Sequence, residues 1–166
     1  MKLTTKVLVA AMTTLALASG AAHAGDRICR GSIGAQSIDD NVKVPRGASC
    51  NLNGTRIDGN IIIERGATLT ANSVNVKGNV QGEGHTRVVL VGRSMIDGSV
   101  QLKQGGSARI EGANVNGDIQ LFSNRGTQVV RNNYVDGNLQ CKSNVPAPTG
   151  GGNRVEGNKE DQCRRL

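Results

Sequence analysis

The chain has 166 residues, with 23 Gly, 3 Pro, one Tyr, one Phe and no Trp, a size that points to one domain. So few aromatic rings argue against an ordinary globular core, and high Gly with little Pro argues against a disordered low-complexity tract. Formal net charge is +7, but the basic residues are scattered, only Arg164-Arg165 are adjacent, and no stacking aromatics or groove-reading helix accompany them, which excludes nucleic acid as the expected partner.

In chain order, the first expected element is a secretory leader. Lys2 and Lys6 supply the positive start, residues 7–18 are mostly apolar, and Ala22-His23-Ala24 is a small-x-small cleavage site. Cleavage after Ala24 is expected, which makes the mature protein periplasmic or secreted. The apolar stretch is shorter than the roughly 20 residues a membrane helix needs, and no second one follows. Gly25 rather than Cys stands after the cut, so a lipoprotein anchor is not expected.

The mature part holds Cys29, Cys50, Cys141 and Cys163. An even count in an exported chain reads as disulfides. There is no CxxC spacing, and His85 is the sole mature His, so no metal or other cofactor is expected.

A repeat organises residues 25–166. An aliphatic residue, any residue, Gly, a small polar residue and an aliphatic residue recur in that order. The copies are Ile57-Asp58-Gly59-Asn60-Ile61, Val76-Lys77-Gly78-Asn79-Val80, Ile96-Asp97-Gly98-Ser99-Val100, Val115-Asn116-Gly117-Asp118-Ile119 and Val135-Asp136-Gly137-Asn138-Leu139. Worn copies open and close the series, Ile38-Asp39-Asp40-Asn41-Val42 and Val155-Glu156-Gly157-Asn158-Lys159. The central residues step by 19 or 20 positions throughout. Atypical terminal copies are the mark of a stacked repeat whose ends are caps.

Around each Gly the apolar residues have period two, as in Ile57, Ile61 and Ile63, which reads as a main strand with one buried face. A second short strand precedes the motif, for example Ala67-Thr68-Leu69-Thr70, Arg87-Val88-Val89-Leu90 and Gln128-Val129-Val130. Turns follow at Asn72, Gly92, Gly112 and Asn132. Two or three short strands in 19–20 residues make one coil of an all-β parallel β-helix (a β-solenoid). About seven coils are expected, right-handed as parallel crossovers are. At about 4.8 Å per coil the rod would be roughly 34 Å long. A helical repeat is excluded, because no stretch shows period 3.6 and Gly, Asn, Val and Thr are poor helix formers.

Cys29 and Cys50 are 21 residues apart, and Cys141 and Cys163 are 22 apart, each close to one coil. Adjacent coils lie within the Cα separation a disulfide tolerates, so the expected pairs are Cys29–Cys50 and Cys141–Cys163, one staple at each end. Each would contribute about 3 kcal/mol by restricting the unfolded chain.

The end of the chain runs from Gly137-Asn138-Leu139-Gln140-Cys141 through Asn144-Val145-Pro146-Ala147-Pro148-Thr149-Gly150-Gly151-Gly152-Asn153 to Gly157-Asn158-Lys159-Glu160-Asp161-Gln162-Cys163. It resembles the closing segment of small uncharacterised secreted bacterial right-handed parallel β-helix proteins. That resemblance implies the fold and the terminal disulfide, and no activity. In Gly and aliphatic spacing the repeats are also similar to those of bactofilins, which are polymer-forming β-helices of the cytoplasmic side. This chain differs in its export signal and in stapled, worn ends that look built to stop stacking.

With the motif read as one strand, the residues one before, one after and three after each Gly point outward. The first column is Asp39, Asp58, Lys77, Asp97, Asn116, Asp136 and Glu156. The second is Asn41, Asn60, Asn79, Ser99, Asp118, Asn138 and Asn158. The third is Lys43, Ile62, Gln81, Gln101, Gln120, Gln140 and Glu160. Together they would make one flat amide-rich face, with Asn60, Asn79, Gln81, Gln101, Asn116, Gln120, Asn138 and Gln140 as the candidate binding face. Such amides also form stabilising ladders between coils.

No catalytic residue is expected. Gly-x-Ser-x-Gly, phosphate-loop, calcium-nonapeptide and Thr-x-Thr patterns are missing. Asp136 and Glu156 would stand one coil apart, near the spacing of a retaining glycosidase pair, but stacked charges of this kind more often form compensated ladders. Asn53-Gly54-Thr55 fits a glycosylation sequon, and Gly82-Glu83-Gly84-His85 reads as a tolerated loop insertion. The expected function is therefore a structural or interaction module of the cell envelope. Its expected partners are envelope polysaccharide or another envelope protein, with a glycan-binding module, and less so a polysaccharide-active enzyme, as alternatives.

Overall fold

A computed structural model describes residues 25–166; the expected leader lies outside them. All regular structure there is strand, arranged in three parallel sheets. Sheet A has eight strands, from Asp26–Ile28 to Lys159–Asp161. Sheet B has seven, from Gly31–Ile33 to Thr149–Gly151. Sheet C has seven, from Ser37–Ile38 to Arg154–Val155. The chain visits A, B and C in turn and returns one level along. One coil runs through Ile61–Ile63, Thr68–Asn72 and Asn75–Val76 before re-entering sheet A at Val80–Glu83. The result is a β-solenoid of about seven turns, as the repeat requires.

The register keeps like residues in columns. Val80 stands between Ile61 and Val100, and Ile119 between Val100 and Leu139, all fully buried. Ile57, Val76, Ile96, Val115 and Val135 make the inner column of sheet C. Burying an aliphatic side chain of this size is worth about 1.5–3 kcal/mol, so each column is a large driving term. Both disulfides form, with Cα separations of 5.6 Å for Cys29–Cys50 and 5.2 Å for Cys141–Cys163. They belong to the core: Cys141 is fully buried and continues the column of Leu102 and Leu121.

The motif itself is a corner, not one strand. Ile57 closes a strand of sheet C and Ile61 opens one of sheet A, with the bend at Asp58-Gly59-Asn60. The physical reason is crowding between coils. A Cβ on Gly78 would lie 2.5 Å from Asn60 Oδ1 and 2.7 Å from the Gly59 carbonyl oxygen, so only Gly lets the bends stack. Among the described residues no motif copy precedes Asp40, so the opening copy is free of that requirement. The closing copy departs in a matching setting: Lys159 takes the inward position of Leu139 on the strand that ends its sheet among the described residues.

The other two corners need left-handed backbone instead. After sheet B the residues with φ between 52° and 73° are Gly54, Ser73, Gly92, Arg93, Gly112, Asn132 and Gly152. Asn72, expected as a turn, is the last residue of its strand, and Ser73 takes the left-handed position.

Candidate functional site

Because the chain bends at each Gly, the three expected columns do not share one flat face. They wrap an edge of the prism. Asp58, Asn116 and Asp136 sit exposed in the bend, Asn60, Asn79 and Asn138 sit half-buried just past it, and Gln81, Gln101, Gln120 and Gln140 stand on the outer side of sheet A.

The middle column is a hydrogen-bonded ladder. The backbone N–H of Asn60 donates to Asn41 Oδ1 at 2.8 Å, and that of Asn79 to Asn60 Oδ1 at 2.8 Å. Ser99 N–H then donates to Asn79 Oδ1 at 2.8 Å, Asp118 N–H to Ser99 Oγ at 3.0 Å, and Asn138 N–H to Asp118 Oδ1 at 2.7 Å. Asn158 N–H donates to Asn138 Oδ1 at 2.9 Å. Every rung needs a short side chain with an acceptor oxygen, which explains why Asn, Ser and Asp interchange here.

The outer column of sheet A divides. Gln120 Nε2 donates to Gln140 Oε1 at 2.9 Å, and Gln140 Nε2 to Glu160 at 2.9 Å. Gln81 and Gln101 instead line an open groove of about 550 Å³ with Glu64, Arg65, Glu83 and Lys103. Gly82 forms part of its floor.

The acidic column in the bend is largely compensated. Asp58 pairs with Lys77 at 2.9 Å and Arg56 at 3.6 Å, and the hydrogen bond from Lys77 holds its carboxyl below the usual range. Asn116 Nδ2 donates to Asp97 at 3.4 Å, and Glu156 is bound by Arg154 of its own coil at 2.9 Å. Asp58, Asp97 and Glu156 thus meet cations or amides, the pattern of a charge ladder.

Three features escaped the sequence reading. Asn124 and Asn144, and likewise Asn133 and Asn153, are buried at the other corners. Each lower Asn donates through both backbone N–H and Nδ2 to the Oδ1 of the upper one at 2.9–3.1 Å. Their 20-residue spacing was the available signal. His85 is also buried, its ring lying inside the coil between Gly82 and Gly105, so the segment is not a loop insertion. The third feature is a group of arginines on the outer face of sheet B, around Arg87 and Arg109.

Thr55 of the sequon is buried, and its hydroxyl donates to the Gly34 carbonyl at 2.9 Å. No helix among the described residues is long and apolar enough to cross a membrane. Comparison with protein-family models, with curated proteins and with solved structures finds no match to the chain.

Proposed function

We propose that this protein is an exported structural or interaction module of the cell envelope, acting in the periplasm or outside the cell by presenting the faces of a rigid rod. One observation carries the reading. The space enclosed by the three sheets is filled along its length by side chains that are almost all fully buried, so what a partner meets is surface. The concavities that do occur, such as the one at Gln81 and Gln101, are open grooves over a sheet. Two buried disulfides suit an oxidising compartment and a small rod that must stay folded there.

The test is capture of envelope components on immobilised protein spanning residues 25–166. Saturable retention of a defined component supports the module reading. Turnover of an acidic polysaccharide, lost in Asp136→Ala or Glu156→Ala, would replace it with an enzyme.

A second reading, a glycan-binding module, draws support from the groove on sheet A. Gln81 and Gln101 stand there outside the hydrogen-bonded Gln120–Gln140–Glu160 chain, so their amides face the groove for hydroxyl groups. Neutral glycans that fail to bind at millimolar concentration would remove this reading.

A further inference from the structure

Charge is distributed unevenly around the rod. Twelve of its thirteen acidic residues lie on strands of sheet A, at the edge just beyond them, or in the bend between sheets C and A. On the strands of sheet B there is one, Glu111. The same face carries Arg87, Arg109 and Arg131, with Arg93 at the turn that follows, so one carboxylate faces four guanidiniums.

The arginines form an ordered row. Arg87 stands beside Ser107 and Val89 beside Arg109, so Arg109 is one coil along and two residues on from Arg87. Arg109 stands beside Val129 and Glu111 beside Arg131, which repeats the same step. With about 4.8 Å between strands and about 3.3 Å per residue, successive members are roughly 8 Å apart along a diagonal. Half-buried Val89, Val91 and Val129 lie among them, and two shallow grooves that share Arg87 and Arg109 flank the row.

The face already displays the group it accepts. Glu111 is gripped by Arg109, whose Nε lies 2.7 Å away, and by Arg131 at 2.7 Å, and these two hydrogen bonds hold its carboxyl below the usual range. Among the described residues Arg87 and Arg93 make no ion pair. Guanidiniums bind carboxylates through paired, charge-assisted hydrogen bonds, and apolar patches between them suit the C–H faces of sugar rings.

We infer that the outer face of sheet B is a docking surface for a linear polysaccharide bearing carboxylates, a uronate-type polymer lying along the Arg87–Arg109–Arg131 row. The inference rests on the interaction-module reading and names its partner. A nucleic acid suits this face less well, because no aromatic ring stands on it for bases to stack upon.

The experiment measures binding of polygalacturonate to the protein spanning residues 25–166, with neutral dextran, dextran sulfate and poly(dT) as comparison arms. Polygalacturonate should bind, and binding should weaken as ionic strength rises. Combined Arg87→Ala and Arg93→Ala substitution should lower affinity at least tenfold with the melting temperature unchanged. Lys142→Ala on sheet A should leave affinity as it was. Arg87→Glu serves as the second variant should the double one misfold. Wild-type affinity in the arginine variants, preference for poly(dT) or dextran sulfate, or no binding at millimolar uronate would each overturn the inference. Envelope capture that persists in the double variant would overturn it while leaving the module reading intact.

Discussion

The side-chain oxygen of Asn60 accepts two hydrogen bonds from Asn79, one from the backbone N–H at 2.8 Å and one from Nδ2 at 3.3 Å. The side chain of one coil therefore satisfies the backbone of the next, at the corner where the parallel ladder is interrupted. This relationship repeats from Asn41 to Asn158 and ties the bends of the solenoid together.

Removing that oxygen takes the acceptor from two half-buried donors of Asn79, the backbone N–H and the side-chain Nδ2. Asn60→Ala should lower stability by about 2 kcal/mol, the scale of an unsatisfied backbone group. Asn60→Ser should lose less than half of that, since Ser99 performs the same task toward Asp118 at 3.0 Å. Urea unfolding of the three proteins measures both differences. If the Ala variant unfolds with the wild type, the ladder is ornament and the column is free for another role.

The Gly column makes a sharper test of stacking. In Gly78→Ala the new methyl would meet Asn60 Oδ1 at 2.5 Å and a backbone carbonyl oxygen at 2.7 Å, and the backbone cannot turn aside. A loss of about 3 kcal/mol is expected, at the upper end for overpacking. Asp40→Ala at the equivalent position of the opening copy should change stability by less than about 0.5 kcal/mol. Equal thermal shifts for the two would contradict the explanation of why that copy lacks Gly.

The sequence carried the fold further than the surface. A 19–20-residue spacing and period-two aliphatics are enough to place Ile57, Val76 and Ile96 in the core, because burial acts on every coil alike. The coil-length Cys spacing was enough to pair Cys29 with Cys50 for the same reason. The face was misdrawn because alternation continues across a bend. Ile57 and Ile61 both point inward whether the segment is straight or turns a corner, and the polar residues between them are what change direction. His85 was hidden for a different cause. Its place inside the coil depends on Gly82 and Gly105 leaving room, a three-residue arrangement with no repeat to announce it.

The glutamines should separate by position along the rod. Gln120 lies in a bonded chain with Gln140 and Glu160, whereas Gln101 lines the open groove. Gln120→Ala is expected to cost about 1 kcal/mol, and Gln101→Ala less than about 0.5 kcal/mol. In the sequence both stand in the same outward column, three residues after the motif Gly. Chemical denaturation resolves the pair, and an equal loss in both would mean that Gln101 makes a bond equivalent to that of Gln120.

Acid should loosen the rod through His85. Its ring is 2% exposed and fills a slot in the column held elsewhere by Ile63, Leu102 and Leu121, where Gly82 stands instead. A Cβ on Gly105 would lie 2.2 Å from its Cε1, so that Gly completes the slot. Neither ring nitrogen has a hydrogen-bond partner among the described residues. Burial pushes the imidazole below its ordinary value of 6.5, and the Gly82 backbone opposes that shift without reaching hydrogen-bond geometry. The native state thus holds the neutral ring, while the unfolded chain titrates near 6.5. Above that pH both are neutral and the full stability is present. Below it the unfolded chain gains a proton that the fold excludes, so stability falls as pH drops from 6.5 toward the lower native value, by at most about 1.4 kcal/mol per pH unit. His85→Asn should be less stable at pH 8, because the slot is left partly empty, yet should show a flatter slope as pH falls below 6.5. Melting curves of both proteins across that window decide it: parallel pH dependences would mean that the imidazole keeps an ordinary proton equilibrium inside the coil.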